Sequence, residues 1–156
     1  MEKIKSFTVN HLKLKSGLYV SRIDNFNNAT LTTFDMRFTA PNIEPVMDTG
    51  SIHTLEHLGA TFFRNSDIKD SVAYFGPMGC RTGFYLILAG NLTPKDILPL
   101  VKDMLSFVID FNGEIFGATP VECGNYSDQN LLGAKKFAKK YLESLTNTPC
   151  TEYPID

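Results

Sequence analysis

Residues 30–39 read TLTTFDMRFT. Phe34, Met36 and Phe38 occupy alternate positions, and Asp35 and Arg37 lie between them. A side-chain period of two is the signature of a strand, and this pattern predicts one that is half-buried, apolar side in and charged side out. Just upstream, NFNN at 25–28 is a turn signal, so GLYVSRI at 17–23 reads as a neighbouring strand. SFTVNHLKL at 6–14 reads as another, joined to it through the turn-prone Ser16-Gly17.

Downstream the period changes. Ile52, Leu55, Phe62 and Phe63 recur near helical spacing, and Asp48, Thr49 and Ser51 can each cap, which predicts a helix over 48–64. SVAYF at 71–75 and GFYLILAG at 83–90 read as two strands around the glycine-punctuated GPMGCRTG. Thr93-Pro94-Lys95-Asp96 is a helix start with proline at the first helical position. That helix should reach about residue 111, with Pro99 liable to disturb its second turn. A glycine-rich loop over 113–124 carries Cys123 toward a last helix at 128–145. Strands and helices mix without regular βαβ alternation. The expected class is α+β, a single-domain sandwich over 1–156 with a mainly antiparallel sheet packed against helices.

Composition narrows the function. Of 156 residues, 43% are hydrophobic and 21% charged, ordinary values for a globular chain. The net charge is -2 with no basic block, so no nucleic-acid partner is expected. The longest apolar run, FYLILA, is too short to cross a bilayer, and MEKIKSFTVN lacks the apolar centre of a signal peptide. Cys80, Cys123 and Cys150 are odd in number and far apart, a poor disulfide framework that points to the cytoplasm.

The chemistry concentrates at SIHTLEHLGA, residues 51–60. On a helix His53 and His57 lie one turn apart on one face, where two imidazoles can hold one divalent ion. Glu56 flanks that face without having to be a ligand, and a carboxylate beside a metal-bound group can move protons. H-x-x-E-H also occurs by chance on solvated helices. A catalytic site of this type needs a third protein ligand, from His11, Cys80, Cys123, Cys150 or a carboxylate. Cys123, in VECGNYS just ahead of the final helix, has the best local context, although a free cysteine is commonly just a small buried hydrophobe. Cys80, between Gly79 and Arg81, has little bulk to shield it and a cation beside it, the setting of a reactive thiol.

Taken together, SFTVNH, FDMRFTAPN, IHTLEH, FFRN, GPMGCRTGFYL, ECGNY and GAKKFAKKYL resemble the S-ribosylhomocysteine lyase (LuxS) family along most of the chain. The resemblance implies His53, His57 and Cys123 as ligands of one divalent metal per subunit, with Fe(II) native and Zn or Co able to substitute. It implies Glu56 and Cys80 as the acid/base residues and Ser6, His11 and Arg37 as part of the substrate pocket. It further implies a homodimer with active sites at the interface, each drawing on both chains. The reaction would convert S-ribosylhomocysteine to homocysteine and 4,5-dihydroxy-2,3-pentanedione, the autoinducer-2 precursor. The sequence departs from the commoner family pattern at Tyr74-Phe75-Gly76, Gln129 and Asn10. Tyr74 and Phe75 are therefore weaker pocket candidates. Two other readings compete: an H-x-x-E-H zinc metallopeptidase, with Glu122 or Glu143 as a carboxylate ligand, and a non-enzymatic domain with a closed structural metal.

Overall fold

In a computed structural model, which describes residues 1–2, 4 and 7–154, the period-two stretch is the second strand of a four-stranded sheet. The elements run β1 (Gly17–Phe26), β2 (Ala29–Arg37), α1 (Thr49–Arg64), β3 (Val72–Pro77), β4 (Gly83–Ala89), α2 (Pro94–Asp110) and α3 (Leu131–Asn147). Strand order is β1-β2-β4-β3, and every neighbouring pair is antiparallel. The three helices pack on one face of this sheet, giving an α+β architecture with one shared core.

Phe34 and Met36 of β2, with Phe84, Leu86 and Leu88 of β4, face the helices. They meet Leu55 and Leu58 of α1, Val101 and Leu105 of α2, and Ala138 and Tyr141 of α3. Ala134, Ala138, Tyr141 and Leu145 recur on one side of α3, and the Tyr141 hydroxyl ends that stripe by donating to Gly17 O at 2.7 Å.

Local chemistry sets the helix ends. Asp48 caps α1 by accepting from Ser51 N at 2.9 Å and from the Ser51 hydroxyl at 2.6 Å. Thr93 and Asp96 form a reciprocal capping box at α2, with Pro94 in the first turn. Pro99 lies inside α2 without ending it. It sits on the exposed side, where the carbonyl it leaves without a partner can meet water. Among the described residues no helix is long and apolar enough to cross a membrane.

Three expectations change. Residues 7–13 form turns rather than a strand, with Phe7 and Leu12 exposed and only Leu14 reaching the core. A period-two pattern needs a paired edge to become a strand, and this segment folds over the sheet instead. The last helix begins at Leu131, because Asn130 caps it by accepting from Gly133 N at 2.9 Å. Lastly, β2 is buried on both faces: Asp35 is 1% exposed and Arg37 4%. The side of the sheet away from the helices is covered locally by the N-terminal segment and the C-terminal tail, so those charges line a cavity.

Candidate functional site

The first cluster belongs to the helix layer. His53, His57 and Cys123 bring their ligand atoms within 4.8 Å of one another. The two Nε2 atoms are 3.0 Å apart, and Cys123 Sγ is 3.4 Å from His53 Nε2. Each Nδ1 meets a backbone carbonyl, Asp128 O at 2.9 Å for His53 and Phe116 O at 2.6 Å for His57. Nδ1–H donation to those carbonyls puts the free lone pair of each ring on Nε2, the tautomer a metal-binding imidazole adopts. Two imidazole lone pairs and a sulfur then converge on one point, a donor set that suits a divalent cation. Asn125 N–H donates to the Cys123 sulfur at 3.5 Å.

The cluster assembles because the loop before α3 is stitched to α1. Thr54 Oγ1 donates to Gln129 Oε1 at 2.7 Å and accepts from Asn130 N at 2.9 Å, while Asn130 N also faces Gly50 O at 3.1 Å. The Gln129 amide nitrogen stands 3.2 Å from His53 Nδ1, so this side chain lies against the His53 ring. On the other side, a row of tilted and edge-to-face aromatic rings runs Phe62, Phe107, Phe111, Phe116 and ends at the residue whose carbonyl orients His57. Glu56 lies one turn from His53 on α1 and shares a shallow opening with His57, Phe116 and Gly117.

The second cluster occupies the opposite face of the sheet. A cavity of about 240 Å³ is lined by His11, Asp35, Arg37, Cys80, Tyr85 and Tyr153, among others. Cys80 is exposed on the turn between β3 and β4. That turn is pinned: Arg81 N donates to Met78 O at 2.9 Å, and Thr82 O accepts from Phe38 N at 3.0 Å. Arg37 Nη2 pairs with Asp35 Oδ2 at 2.7 Å; Nη1 reaches the Thr82 hydroxyl at 2.5 Å and Cys80 Sγ at 3.9 Å. Burial pushes the Cys80 thiol up, but hydrogen bonds from Thr82 and the Arg37 charge outweigh it and hold the thiol below its usual value. Asp35 Oδ1 and Arg37 Nε are buried without a protein partner among the described residues. Such atoms beside a cavity are available to a polar ligand.

Of the residues the sequence singles out, the structure thus gathers His53, His57 and Cys123 with Glu56 nearby, and His11, Arg37 and Cys80 separately. Phe75 is in the core, stacked on Phe84 at 5.0 Å between ring centroids, and Tyr74 is exposed. Neither lines the cavity. Ser6 lies outside the described residues. Glu122 accepts from the Thr119 hydroxyl at 2.7 Å and stands apart from the triad, so the carboxylate ligand of a metallopeptidase does not form there. Cys80 and His11 are also outside the triad, which leaves three protein donors among the described residues. Asp35, Thr82, Tyr85 and Tyr153 were not anticipated. An acid and a base inside an apolar strand were the available signal for Asp35; nothing local marked Tyr153.

The S-ribosylhomocysteinase (LuxS) family model matches residues 4–152. A protein of Clostridium acetobutylicum named S-ribosylhomocysteine lyase is 57% identical over 148 residues, 94% of each chain. A Finegoldia magna protein of the same name is 56% identical over 147 residues, again 94% of each chain. A third, from Desulfotalea psychrophila, is 54% identical over 143 residues, 91% of this chain and 90% of its own. On this span and identity, the chain belongs to the S-ribosylhomocysteinase (LuxS) family.

Proposed function

We propose that the chain, taken as one domain over 1–156, is a metal-dependent carbon–sulfur lyase that cleaves S-ribosylhomocysteine to homocysteine and 4,5-dihydroxy-2,3-pentanedione. The observation that carries this reading is the three-donor set His53, His57 and Cys123, with both Nε2 lone pairs turned toward one point, in a chain of this family. Three protein donors are the number of a catalytic site, whereas a structural site is normally closed by four. A divalent ion held there, Fe(II) natively with Zn or Co able to substitute, supplies Lewis-acid polarisation of sugar oxygens.

The chain's own residues move the protons. Each shift of the sugar carbonyl, from C1 to C2 and then to C3, removes a proton from one carbon and delivers one to its neighbour. Cys80 as thiolate takes the proton at carbon, and its lowered pKa keeps it in that form at milder pH. Glu56 serves the sugar from the α1 side. With the carbonyl at C3, loss of the C4 proton breaks the C5–S bond. The electron pair leaves on sulfur, which gains a proton to become the homocysteine thiol. Arg37, His11 and Ser6 are assigned to holding the substrate.

This division of labour calls for two chains. The cavity with Cys80 and the triad with Glu56 lie on opposite sides of one sheet, so a second copy must bring the missing half to each. Exposed apolar side chains flank both halves, Phe7 and Leu12 near the cavity and Phe116 and Val121 near the triad, and such groups suit an interface. We place the enzyme in the cytoplasm, where free thiols persist, and its product at the head of an autoinducer-2 signal.

The test is release of free homocysteine thiol from S-ribosylhomocysteine by anaerobically prepared protein and by its Cys80→Ala variant. Release by the first and none by the second is expected. Silence from metal-replete wild-type protein would overturn the reading.

A further inference from the structure

The C-terminal tail is not idle packing. Leu18 N donates to Cys150 O at 2.9 Å, and three residues on Tyr153 stacks flat on Tyr19 of β1, with centroids 4.8 Å apart and planes within 8°. That stack delivers the Tyr153 hydroxyl to Asp35 Oδ2 at 2.8 Å, the same oxygen that receives Arg37 Nη2 at 2.7 Å. Ser21 occupies the bulge where the β1–β2 register slips between Val20 and Arg22. A bulge re-aims its extra residue, and Ser21 lines the same cavity as Tyr153.

We infer that Tyr153 is a positioning residue for Cys80, acting through Asp35 and Arg37. This rests on the proposed role of Cys80. The polar chain runs from Tyr153 to Asp35, then through the Arg37 guanidinium to Thr82 and Cys80. Among the described residues Asp35 Oδ1 has no protein partner, so Oδ2 fixes the carboxylate there, and its two donors hold it. Without the phenol the carboxylate is free to turn about its remaining bond and takes the guanidinium with it. Nη1 then loses its aim at Cys80. A ring that only sealed the cavity would need no hydroxyl, and this one is placed on the oxygen that orients Arg37. Burial and the Asp35 charge raise the phenol's pKa, so it remains a donor throughout the working range. The other titratable groups facing the cluster are His11 from the N-terminal segment, Tyr19 on β1 and Tyr85 on β4.

The experiment is the pH dependence of Cys80 alkylation by iodoacetamide in Tyr153→Phe, which keeps the stacking ring and removes only the hydroxyl. Cys80 is the single cysteine of the tryptic peptide spanning 70–81, so mass spectrometry reads it apart from Cys123 and Cys150. The expected result is a profile displaced to higher pH, with the rate at neutral pH down roughly threefold through loss of thiolate. Lyase kcat should fall while KM changes little. An alkylation profile matching wild type in folded Tyr153→Phe overturns the inference, whatever the activity. If Tyr153→Phe melts too low to assay, Tyr19→Leu, which removes the β1 ring that Tyr153 stacks on, is read in the same way and with the same sign. Alkylation needs no substrate, so a failure of the lyase reading shows in the thiol-release assay and leaves this result legible.

Discussion

The Nε2 atoms of His53 and His57 face each other across 3.0 Å while each ring's Nδ1 is engaged by a backbone carbonyl. Two lone pairs so placed repel unless a cation lies between them. The carbonyls come from the loop that carries Cys123, so the same stretch that orients the rings also supplies the sulfur.

Cys123→Ser should therefore lose metal before it loses fold. Replacing the thiolate ligand should lower affinity by about 100-fold or more. Metal per chain after exhaustive dialysis, by mass spectrometry, is the measurement. Cys150→Ser is the control and should retain its metal.

Chelation should lower the melting temperature of wild type, since an ion that binds only the folded chain stabilises it by mass action. The Cys123→Ser protein should melt at nearly the same temperature with and without chelator. A chelator effect of equal size in both would place the metal elsewhere.

Thr82→Val tests how the Cys80 thiolate is maintained. The Thr82 hydroxyl is 3.1 Å from Cys80 Sγ, and its hydrogen bond is the foremost influence lowering the thiol. A lowered thiol pKa keeps the base form at lower pH, and activity is lost as pH falls through that value. Without the hydroxyl, the rising limb of kcat against pH should move to higher pH, with metal content unchanged.

Asp48→Ala removes the cap of α1 and should cost about 1 kcal/mol by urea denaturation at neutral pH. In the native protein, burial raises the Asp48 carboxyl, but hydrogen bonds from Ser51 and Asn130 prevail and hold it below its ordinary value. A depressed carboxylate contributes stability above its unfolded pKa and loses it as pH falls through the folded one. The stabilities of variant and wild type should thus converge in acid.

Gly59→Ala should destabilise by roughly 1–3 kcal/mol, because a Cβ there would stand 2.5 Å from Phe75 Cε1. Phe75 is held between Phe63 and Phe84 and has no room to retreat. Thermal melts of Gly59→Ala and of the double variant Gly59→Ala/Phe75→Leu decide it: the second change should recover part of the loss.

Much of this architecture was legible before any coordinates. The Asp48 cap and the spacing of Ile52 and Leu55 place α1 within a residue of its observed limits, and His53 and His57 must then share a face. The β3 and β4 runs and the Thr93 capping box were equally local signals. The N-terminal segment forms turns instead of the expected strand because a local pattern becomes a strand only when the chain lays that segment along a sheet edge, and residues 7–13 fold over the sheet rather than along β1.

Local periodicity, caps and turn residues determined which segments are helix or strand, and the motif order determined the family. They act over a few residues, so sequence alone can state them. Only the tertiary structure decided that Asp35 and Arg37 are buried rather than solvated, that Tyr153 reaches across 118 positions to that pair, and that Cys80 lies on the far side of the sheet from His53, His57 and Cys123. Those facts depend on which surfaces cover one another once the chain has closed, and no local pattern carries that.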